Sequence, residues 1–228
     1  MGKNELPGDE LKASAGVPGA VRLLVFARPP VLGRVKTRLA ATLGPEVALA
    51  SYRRLLAITQ QAVAAAAVPA TVWLAEAPPA GALADAGTAA GALPEWPGLP
   101  WRIQAPALDL GERMAAAFAA AFAEGVSRVA VIGTDCPGLT AALLTQALNG
   151  LAAHDVMIGP AADGGYYLLA LRQPCPALFQ NIAWSSATVL ADTLALAAGL
   201  GLSVALLPEL HDVDTAEDLV HWPGWGEV

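Results

Sequence analysis

Two hydrophobic patterns alternate along this chain, and together they predict its elements. Short apolar runs such as residues 129–132, which contain no polar alternation, are typical of strands buried on both faces of a parallel sheet. Between such runs, apolar side chains recur at helical spacing, as at Tyr52, Leu55, Leu56 and Val63. The regular exchange of strand and helix predicts an α/β protein with a mostly parallel sheet covered by helices.

The same patterns place the individual elements. Strands are predicted at residues 21–27, 70–75, 101–105, 129–132, 155–160, 166–171 and 202–207. Helices are predicted at residues 45–67, before Gly125, from Thr140, at 187–198 and after a Thr215 and Asp218 capping box. Residues 77–100 are expected to be a surface segment with a short helix around 81–90. Residues 1–20 are expected to form a flexible tail, and residues 21–228 a single domain.

Composition and charge narrow the class of ligand. The chain has 228 residues and a net charge of -7, which argues against nucleic acid because an extended phosphate surface requires a basic face. Cys136 and Cys175 lack zinc or disulfide spacing, which fits a reducing cytoplasm. Residues 188–207 are apolar, but Asp192 and two glycines interrupt them, so no membrane helix is expected. The oligomeric state is left open.

An aspartate follows the clearest apolar run. Gly133 and Thr134 lead from residues 129–132 into Asp135, which places a carboxylate at the carboxyl end of a central strand. In open α/β sheets, ligands bind at that edge because the loops diverge there and leave a crevice. Asp135 is therefore a candidate functional residue. Alternatively, its side chain caps the turn that the next proline and glycine form.

Basic residues are concentrated after the first predicted strand. Arg28, Arg34, Lys36 and Arg38 are four of the chain's 13 basic residues, although the protein as a whole is acidic. On an extended segment Lys36 and Arg38 would point to the same side. This arrangement favours a local anion site, such as one for phosphates, whereas the alternative is a solvated basic loop.

A second candidate lies at the start of the helix that ends before Gly125. Asp109 and Glu112 have the spacing of a capping box, with aspartate in place of serine or threonine. Gly111 would also allow a nucleotide to approach the helix N-terminus, where Arg113 or Glu112 could reach it. Capping and binding are compatible.

Two further groups of residues follow later strands. Gly164 and Gly165 beside Asp163 suggest a backbone that another group must approach closely, although a plain turn would explain the same residues. Asp212 and Asp214 lie at the junction between the last strand and the last helix. That junction is at the same functional edge if the strand is parallel.

Five ordered motifs carry a family resemblance over nearly all of residues 21–219. They are FARPPVLGRVKTRLA, DLGERM, IGTDCPGL, GPAADGGYYLLALR and DVDTAEDL. The chain resembles a bacterial family of uncharacterised glycosyltransferase-A-like proteins, some of which bear the name arsenosugar-biosynthesis glycosyltransferase. It is also similar to nucleotidyltransferases such as phospholactate guanylyltransferase. The resemblance implies one Rossmann-like α/β/α domain that binds a nucleoside diphosphate sugar or a nucleoside triphosphate.

The resemblance also implies roles for residues of these motifs. Asp135 looks like the metal-binding aspartate after the central strand, and Asp214 looks like the second metal carboxylate. The implied cofactor is Mg²⁺ or Mn²⁺, since hard cations take carboxylate and phosphate oxygens as ligands.

The remaining implied roles concern substrate binding. Lys36 and Arg38 look like the phosphate ligands of the first loop, and Arg28 stands where a lysine is expected. Gly164 and Gly165 would line the donor or acceptor pocket.

Three functions are compatible with these residues. The first is a metal-dependent transferase that glycosylates a small molecule from a nucleotide sugar, with Asp163 as the candidate base. The second is a nucleotidyltransferase that joins a nucleoside monophosphate from a triphosphate to a phosphorylated small molecule. The third is a nucleotide-binding module without catalysis. No membrane or nucleic-acid partner is expected for any of them.

Overall fold

A single sheet organises the structure, a computed structural model that describes residues 19–79, 81, 93–106, 108–222 and 225. Its strands are β1 (Val21–Ala27), β2 (Ala70–Leu74), β3 (Trp101–Ile103), β4 (Arg128–Ile132), β5 (Val156–Pro160), β6 (Tyr166–Leu171) and β7 (Val204–Leu206). The seven strands lie in the order β3-β2-β1-β4-β6-β5-β7. Only β6 runs antiparallel to its neighbours, β4 and β5. The predicted mostly parallel α/β sheet is therefore confirmed.

Helices cover both faces of this sheet. They are α1 (Thr37–Leu43), α2 (Pro45–Ala66), α3 (Leu110–Ala123), α4 (Ala141–Gly150) and α5 (Val189–Gly199). Shorter 3₁₀ turns occur at Pro176–Phe179 and Glu217–His221. None of the helices in the described part of the chain combines the length and apolarity that crossing a bilayer requires.

The core consists of two layers, one on each face of the sheet. Successive residues of β1 point to opposite faces, so Leu23 and Val25 pack on the side of α2 and α4, whereas Leu24 packs on the side of α3 and α5. All three side chains are almost fully buried. The absence of polar alternation in the central strands follows from this arrangement, because a strand covered on both faces has no solvent side.

Two local predictions differ from the structure. The basic loop was expected to lack a helix, yet it contains α1, whose only buried residue is Leu39. With so little apolar surface, α1 leaves no periodic stripe in the sequence. The last helix is a 3₁₀ turn, and Asp218 there accepts bonds from the Thr215 hydroxyl at 3.0 Å and the Thr215 N–H at 2.6 Å. The bond from the Thr215 N–H is one of the two bonds of a capping box, but the Thr215 hydroxyl donates where the second bond requires it to accept, so the predicted box forms only in part.

Some predictions lie outside the described residues. They are most of the expected tail, at residues 1–18, and the short helix around residues 81–90, of which only Gly81 is described.

At the other end of the chain, Trp225 is buried in the same core layer as α2, and the Arg54 guanidinium lies 4.4 Å from its ring centroid.

Candidate active site

Two cavities that share lining residues lie at the carboxyl ends of β1 and β4. The smaller, here called the inner cavity, has a volume of about 290 Å³ and includes Gln104, Arg113 and Thr134 in its lining. The larger, here called the outer cleft, has a volume of about 770 Å³. Arg28 and Asp135 line both. These residues therefore mark the junction where one ligand could extend from the inner cavity into the outer cleft.

Asp135 reaches this junction because β4 ends three residues earlier, beside the end of β1. The loop is fixed by two backbone bonds: Gly133 N–H donates to the Tyr167 carbonyl at 3.1 Å, and Val213 N–H donates to the Asp135 carbonyl at 2.9 Å. The second bond ties the segment after β7 to the loop after β4. Asp135 and Asp214 are thereby brought to the same cleft, as the shared functional edge predicted.

Lys36 lies between these two carboxylates. Its ammonium nitrogen contacts the Asp135 carboxylate and lies 4.0 Å from Oδ1 of Asp214. Its side chain is only 6% exposed, although the carboxylates are open to solvent. Arg38 is far more exposed, and its Nη1 lies 2.9 Å from Oδ2 of Asp214. The sequence-predicted basic and acidic residues therefore form one charged cluster.

The route by which Lys36 and Arg38 converge differs from the prediction. Lys36 is not extended but adopts the left-handed conformation, with φ 47° and ψ 49°, directly before α1. Arg38 lies within the first turn of that helix. A side chain in the left-handed region is uncommon outside turns and functional sites, because its Cβ crowds the backbone. The local backbone, not strand alternation, aims the two cations at Asp214.

The acidic members of this cluster fit a divalent cation. The Lys36 ammonium contacts both carboxylates, so the space between them favours a positive charge. Within the described residues, no group of three or more His, Cys, Asp or Glu side chains is arranged to hold a metal ion alone. Mg²⁺ is commonly held by one or two carboxylates together with substrate phosphates and waters. Asp135 and Asp214 could supply that share of the ligands to Mg²⁺ or Mn²⁺.

Arg28 is fixed at the junction by its main chain. The Tyr52 hydroxyl accepts a bond from the Arg28 N–H at 2.8 Å and donates to the Arg28 carbonyl at 3.0 Å. Burial raises the pKa of Tyr52 to about 12, so the hydroxyl stays protonated and able to donate. The Arg28 side chain itself is exposed. An anchored backbone thus presents an exposed guanidinium to both cavities.

At the start of α3, the structure confirms the capping box and corrects the role of Gly111. Asp109 Oδ1 accepts from the Glu112 N–H at 2.8 Å, and Glu112 Oε2 accepts from the Asp109 N–H at 3.1 Å. The group that approaches Gly111 is the Trp184 indole: a Cβ added there would lie 2.5 Å from the indole nitrogen. The glycine is therefore required by the chain's own packing.

Arg113 lies one turn into the same helix and lines the inner cavity. Its Nε donates to the Leu108 carbonyl at 2.8 Å, and its Nη1 lies 3.5 Å from Oε1 of Gln104. Because Gln104 Nε2 also donates to the Trp73 carbonyl at 2.9 Å, the amide is held in one orientation. Arg113 and Gln104 thus form a polar wall of the inner cavity.

The turn between β5 and β6 combines both interpretations given from sequence. Gly164 has φ +88°, and an added Cβ would overlap the Ala187 carbonyl, so its close neighbour is again the chain itself. Gly165 lines the outer cleft and donates its N–H to Asp163 Oδ1 at 2.8 Å. Asp163 is exposed to that cleft. Gly164 therefore shapes the turn, whereas Gly165 and Asp163 border the site.

Asp212 and Trp184 also line the outer cleft. Asp212 was expected at this edge of the sheet but without a role, and Trp184 was not among the predicted site residues. Burial and the neighbouring Asp163 carboxylate raise the pKa of Asp212 above its usual range. The paired spacing of Asp212 and Asp214 was a signal for the first residue. No sequence signal marks Trp184, because its contact with Gly111 is tertiary. Cys136 is buried, and this burial raises the pKa of its thiol, consistent with the interpretation as a packing residue.

The fold and the edge at which these residues meet define a protein of the nucleotide-diphospho-sugar transferase fold class. A family model described as "Uncharacterized protein conserved in bacteria (DUF2064)" matches residues 58–186. The chain belongs to this family. Among curated proteins, none matches the chain.

Similarity to solved structures indicates the same fold class. A protein of Desulfovibrio desulfuricans G20, with the provisional name of nucleotide-diphospho-sugar transferase, is 35% identical and has a TM-score of 0.76. The match covers 87% of this chain and 84% of that one.

Two cytidylyl-transferring enzymes share the fold alone. The 4-diphosphocytidyl-2C-methyl-D-erythritol synthase of Anaerococcus prevotii DSM 20548 is 11% identical with a TM-score of 0.52, covering 89% of this chain and 96% of its own. The inositol-1-phosphate CTP transferase of T. maritima is 12% identical, also with a TM-score of 0.52, covering 88% of this chain and 92% of its own.

Proposed function

We propose that this protein is a metal-dependent transferase that uses a nucleoside diphosphate sugar to glycosylate a small-molecule acceptor. The observation that carries the proposal is the convergence of Lys36, Arg38, Asp135 and Asp214 at the edge where the inner cavity meets the outer cleft. A ligand with several phosphates would be held there by the two cations and by a metal on the two carboxylates. The 35% identical protein from Desulfovibrio desulfuricans supports a sugar nucleotide as donor.

The two cavities suggest how the donor lies. The inner cavity, at about 290 Å³, is near the lower end of small-molecule sites and would hold the nucleoside. Gln104 and Arg113 would provide its polar contacts, and Arg28 would meet the phosphates at the junction. The sugar and the acceptor would then occupy the outer cleft, whose volume of about 770 Å³ suits two groups.

Glycosyl transfer at this site would proceed as follows. An acceptor hydroxyl oxygen bonds to the anomeric carbon as the bond from that carbon to the β-phosphate oxygen breaks. Asp163, in the outer cleft, would take the proton that the hydroxyl loses. Lys36 and Arg38 would stabilise the negative charge that grows on the departing diphosphate. Bound Mg²⁺ or Mn²⁺ on Asp135 and Asp214 would supply the same kind of charge stabilisation.

The second candidate is nucleotidyl transfer, and the fold shared with the two cytidylyl-transferring enzymes favours it. An acceptor phosphate oxygen would bond to the α-phosphorus of a nucleoside triphosphate, and pyrophosphate would leave. The phospholactate guanylyltransferases that the sequence resembles perform this class of reaction. Because the same cations and carboxylates would serve it, the leaving group distinguishes the two reactions.

The test is a panel of nucleoside triphosphates, diphosphates and UDP-, GDP- and dTDP-sugars, each with and without Mg²⁺ or Mn²⁺. A ligand at about a hundredfold over its dissociation constant should add roughly 2.7 kcal/mol, or about 5–10 °C in Tm. We expect stabilisation by a sugar nucleotide that requires metal. We also expect slow hydrolysis, in which water takes the place of the acceptor at the anomeric carbon and the nucleoside diphosphate is released. Stabilisation by a triphosphate alone, with release of pyrophosphate, would instead support nucleotidyl transfer.

Matched variants test whether Asp135 and Asp214 hold the metal that the thermal shift requires. Asp135→Asn and Asp214→Asn should each abolish the metal-dependent shift while the protein stays folded. Glu209→Gln removes an exposed carboxylate that lines neither cavity, so it should behave like the wild type. If all three variants keep the full shift and the biological function, the non-catalytic nucleotide-binding module becomes the better explanation.

A further inference from the structure

Trp184 lies in the outer cleft at a place that the phosphate chemistry does not use. It belongs to the segment between the 3₁₀ turn at Pro176–Phe179 and α5, and its side chain is half-buried. It lines the outer cleft but is absent from the lining of the inner cavity. A nucleoside in the inner cavity would therefore not use this indole.

The protein holds Trp184 in one place by packing. The indole rests against Gly111 so closely that no side chain could be added to that glycine without displacing it. Ile182, two residues earlier, is buried, and its carbonyl accepts a bond from the backbone N–H of Trp184 at 2.9 Å. The ring is therefore held in place by its contact with Gly111 of α3, and its backbone is held by the bond to the buried Ile182.

The backbone on either side of Trp184 is also unusual. Asn181 has φ 59° and Ser185 has φ 66°, two of the four described non-glycine residues with positive φ. Such conformations are unfavourable for residues with a Cβ and persist where surrounding contacts impose them, often at binding sites. Lys36, at the phosphate end of the same cleft, is a third. Two of the four described residues of this kind, Lys36 and Ser185, therefore line the outer cleft.

The polar groups that line the outer cleft together with the ring indicate the type of ligand. The part of the cleft formed by this segment and the turn before β6 contributes Ser185, the Asp163 carboxylate and the Gly165 backbone. Asp212 adds a second carboxylate to the same cleft. Neighbouring carboxylates repel an anionic group but accept hydrogen bonds from neutral hydroxyls.

We propose that Trp184 is a binding platform for a neutral polyhydroxylated ring, a sugar or cyclitol, which is the acceptor of the transfer reaction. The C–H groups on one face of such a ring would lie on the electron-rich indole face, and its hydroxyls would reach Asp163 and Ser185. The word acceptor rests on the proposed function, but binding of the ring to Trp184 does not require it. Trp184 would thereby determine which acceptors are used.

The test follows the indole N–H signals of the full-length protein labelled with ¹⁵N-tryptophan. Absence of one signal in Trp184→Phe assigns Trp184. The probes are methyl α-D-glucopyranoside, methyl α-D-mannopyranoside and myo-inositol, titrated in the millimolar range. We expect at least one probe to shift the Trp184 signal of the wild type. Affinities of the wild type and the variants are compared through the backbone amide of Gly165, which lines the same cleft, in uniformly ¹⁵N-labelled protein. Binding should be about tenfold weaker in Trp184→Ala and should change by less than about threefold in Trp184→Phe. Trp222→Phe, at a half-buried tryptophan that lines neither cavity, should leave the affinity unchanged.

Three results would overturn the proposal that Trp184 is a sugar-binding platform. It is overturned if no probe moves the Trp184 signal, if Trp184→Ala binds the probe as tightly as the wild type, or if UDP, GDP or CDP moves the signal and the sugars do not. Nucleotide-dependent thermal shifts, measured on the wild type and Trp184→Ala, are read separately. If nucleotides fail to bind while a sugar still moves Trp184, the proposed transfer function fails and the sugar platform stands.

Discussion

The ammonium nitrogen of Lys36 lies 4.0 Å from Oδ1 of Asp214 and also contacts the carboxylate of Asp135. A lysine between two carboxylates from separate strand ends neutralises part of their mutual repulsion. It also occupies space that a divalent cation on the same carboxylates would need. Lys36 and the metal are therefore expected to compete for the aspartates until a phosphate ligand offers Lys36 another partner.

Lys36→Met should destabilise the metal-free protein by about 1–2 kcal/mol, because two carboxylates lose their common cation while solvent still screens them. For the same reason the variant should bind Mn²⁺ more tightly than the wild type when nucleotide is absent. Mg²⁺ should raise its Tm more than that of the wild type. Urea unfolding and Mn²⁺ titration by electron paramagnetic resonance measure the two effects.

The matched control for this prediction is Arg38→Met. Arg38 also contacts Asp214, but its side chain is 72% exposed. An exposed ion pair contributes less than about 1 kcal/mol, so this variant should change stability and metal affinity little. Equal metal-dependent shifts in the wild type and Lys36→Met would contradict the competition.

Tyr52→Phe tests how Arg28 is held at the junction of the two cavities. The substitution removes one acceptor and one donor for the Arg28 backbone. We expect a loss of about 1–3 kcal/mol in unfolding free energy, since both backbone groups lose a partner in a partly buried place. Nucleotide affinity should fall as well. A variant with unchanged stability and affinity would show that the hydroxyl does not position Arg28.

Gly111→Ala tests the contact between α3 and Trp184. The added methyl group cannot fit beneath the indole, so we expect a loss of about 1–3 kcal/mol despite the better helix propensity of alanine. Gly199→Ala, in α5, is the control, because an added Cβ there meets nothing within 4 Å. It should be neutral or stabilising by up to about 1 kcal/mol. Thermal unfolding followed by circular dichroism, for both variants and the wild type, measures these changes in stability.

Asp155 provides a prediction on pH. It pairs with Ser203 across the starts of β5 and β7, with its Oδ2 accepting from the Ser203 hydroxyl at 2.6 Å and N–H at 2.9 Å. These bonds, aided by Arg172, hold the pKa of Asp155 below its usual value. A lowered pKa in the folded state stabilises the protein above the unfolded pKa of about 4, and this contribution is lost as pH falls through the lower folded value.

Asp155→Asn should therefore unfold more easily than the wild type near pH 7, and the difference should shrink as the pH falls below about 4. Tm measured across this range for both proteins is the test. A difference that stays constant with pH would mean that the charge of Asp155 does not contribute.

Elements with a strong hydrophobic pattern could be placed from the sequence, whereas features that depend on tertiary contacts could not. The strand at Tyr166–Leu171 has the predicted bounds, and α2 ends within one residue of its prediction. Both carry strong hydrophobic patterns. Helix α1 carries none, since only Leu39 is buried, and it was missed. The Thr215 and Asp218 pair has capping-box spacing, but spacing does not specify which side chain accepts the bond.

At the candidate site, the sequence by itself determined which charged groups reach the cleft. Strand ends are readable from apolar runs, and Arg28, Asp135 and Asp214 follow such ends, so their common edge could be predicted. Tertiary structure alone decided how these groups are arranged. Contacts between segments distant in the chain decided three features of the site. They are the left-handed backbone of Lys36, the packing of the Trp184 indole against Gly111 and the burial of Asp212. Such contacts exist only once the sheet brings the loops together, and no local pattern encodes them.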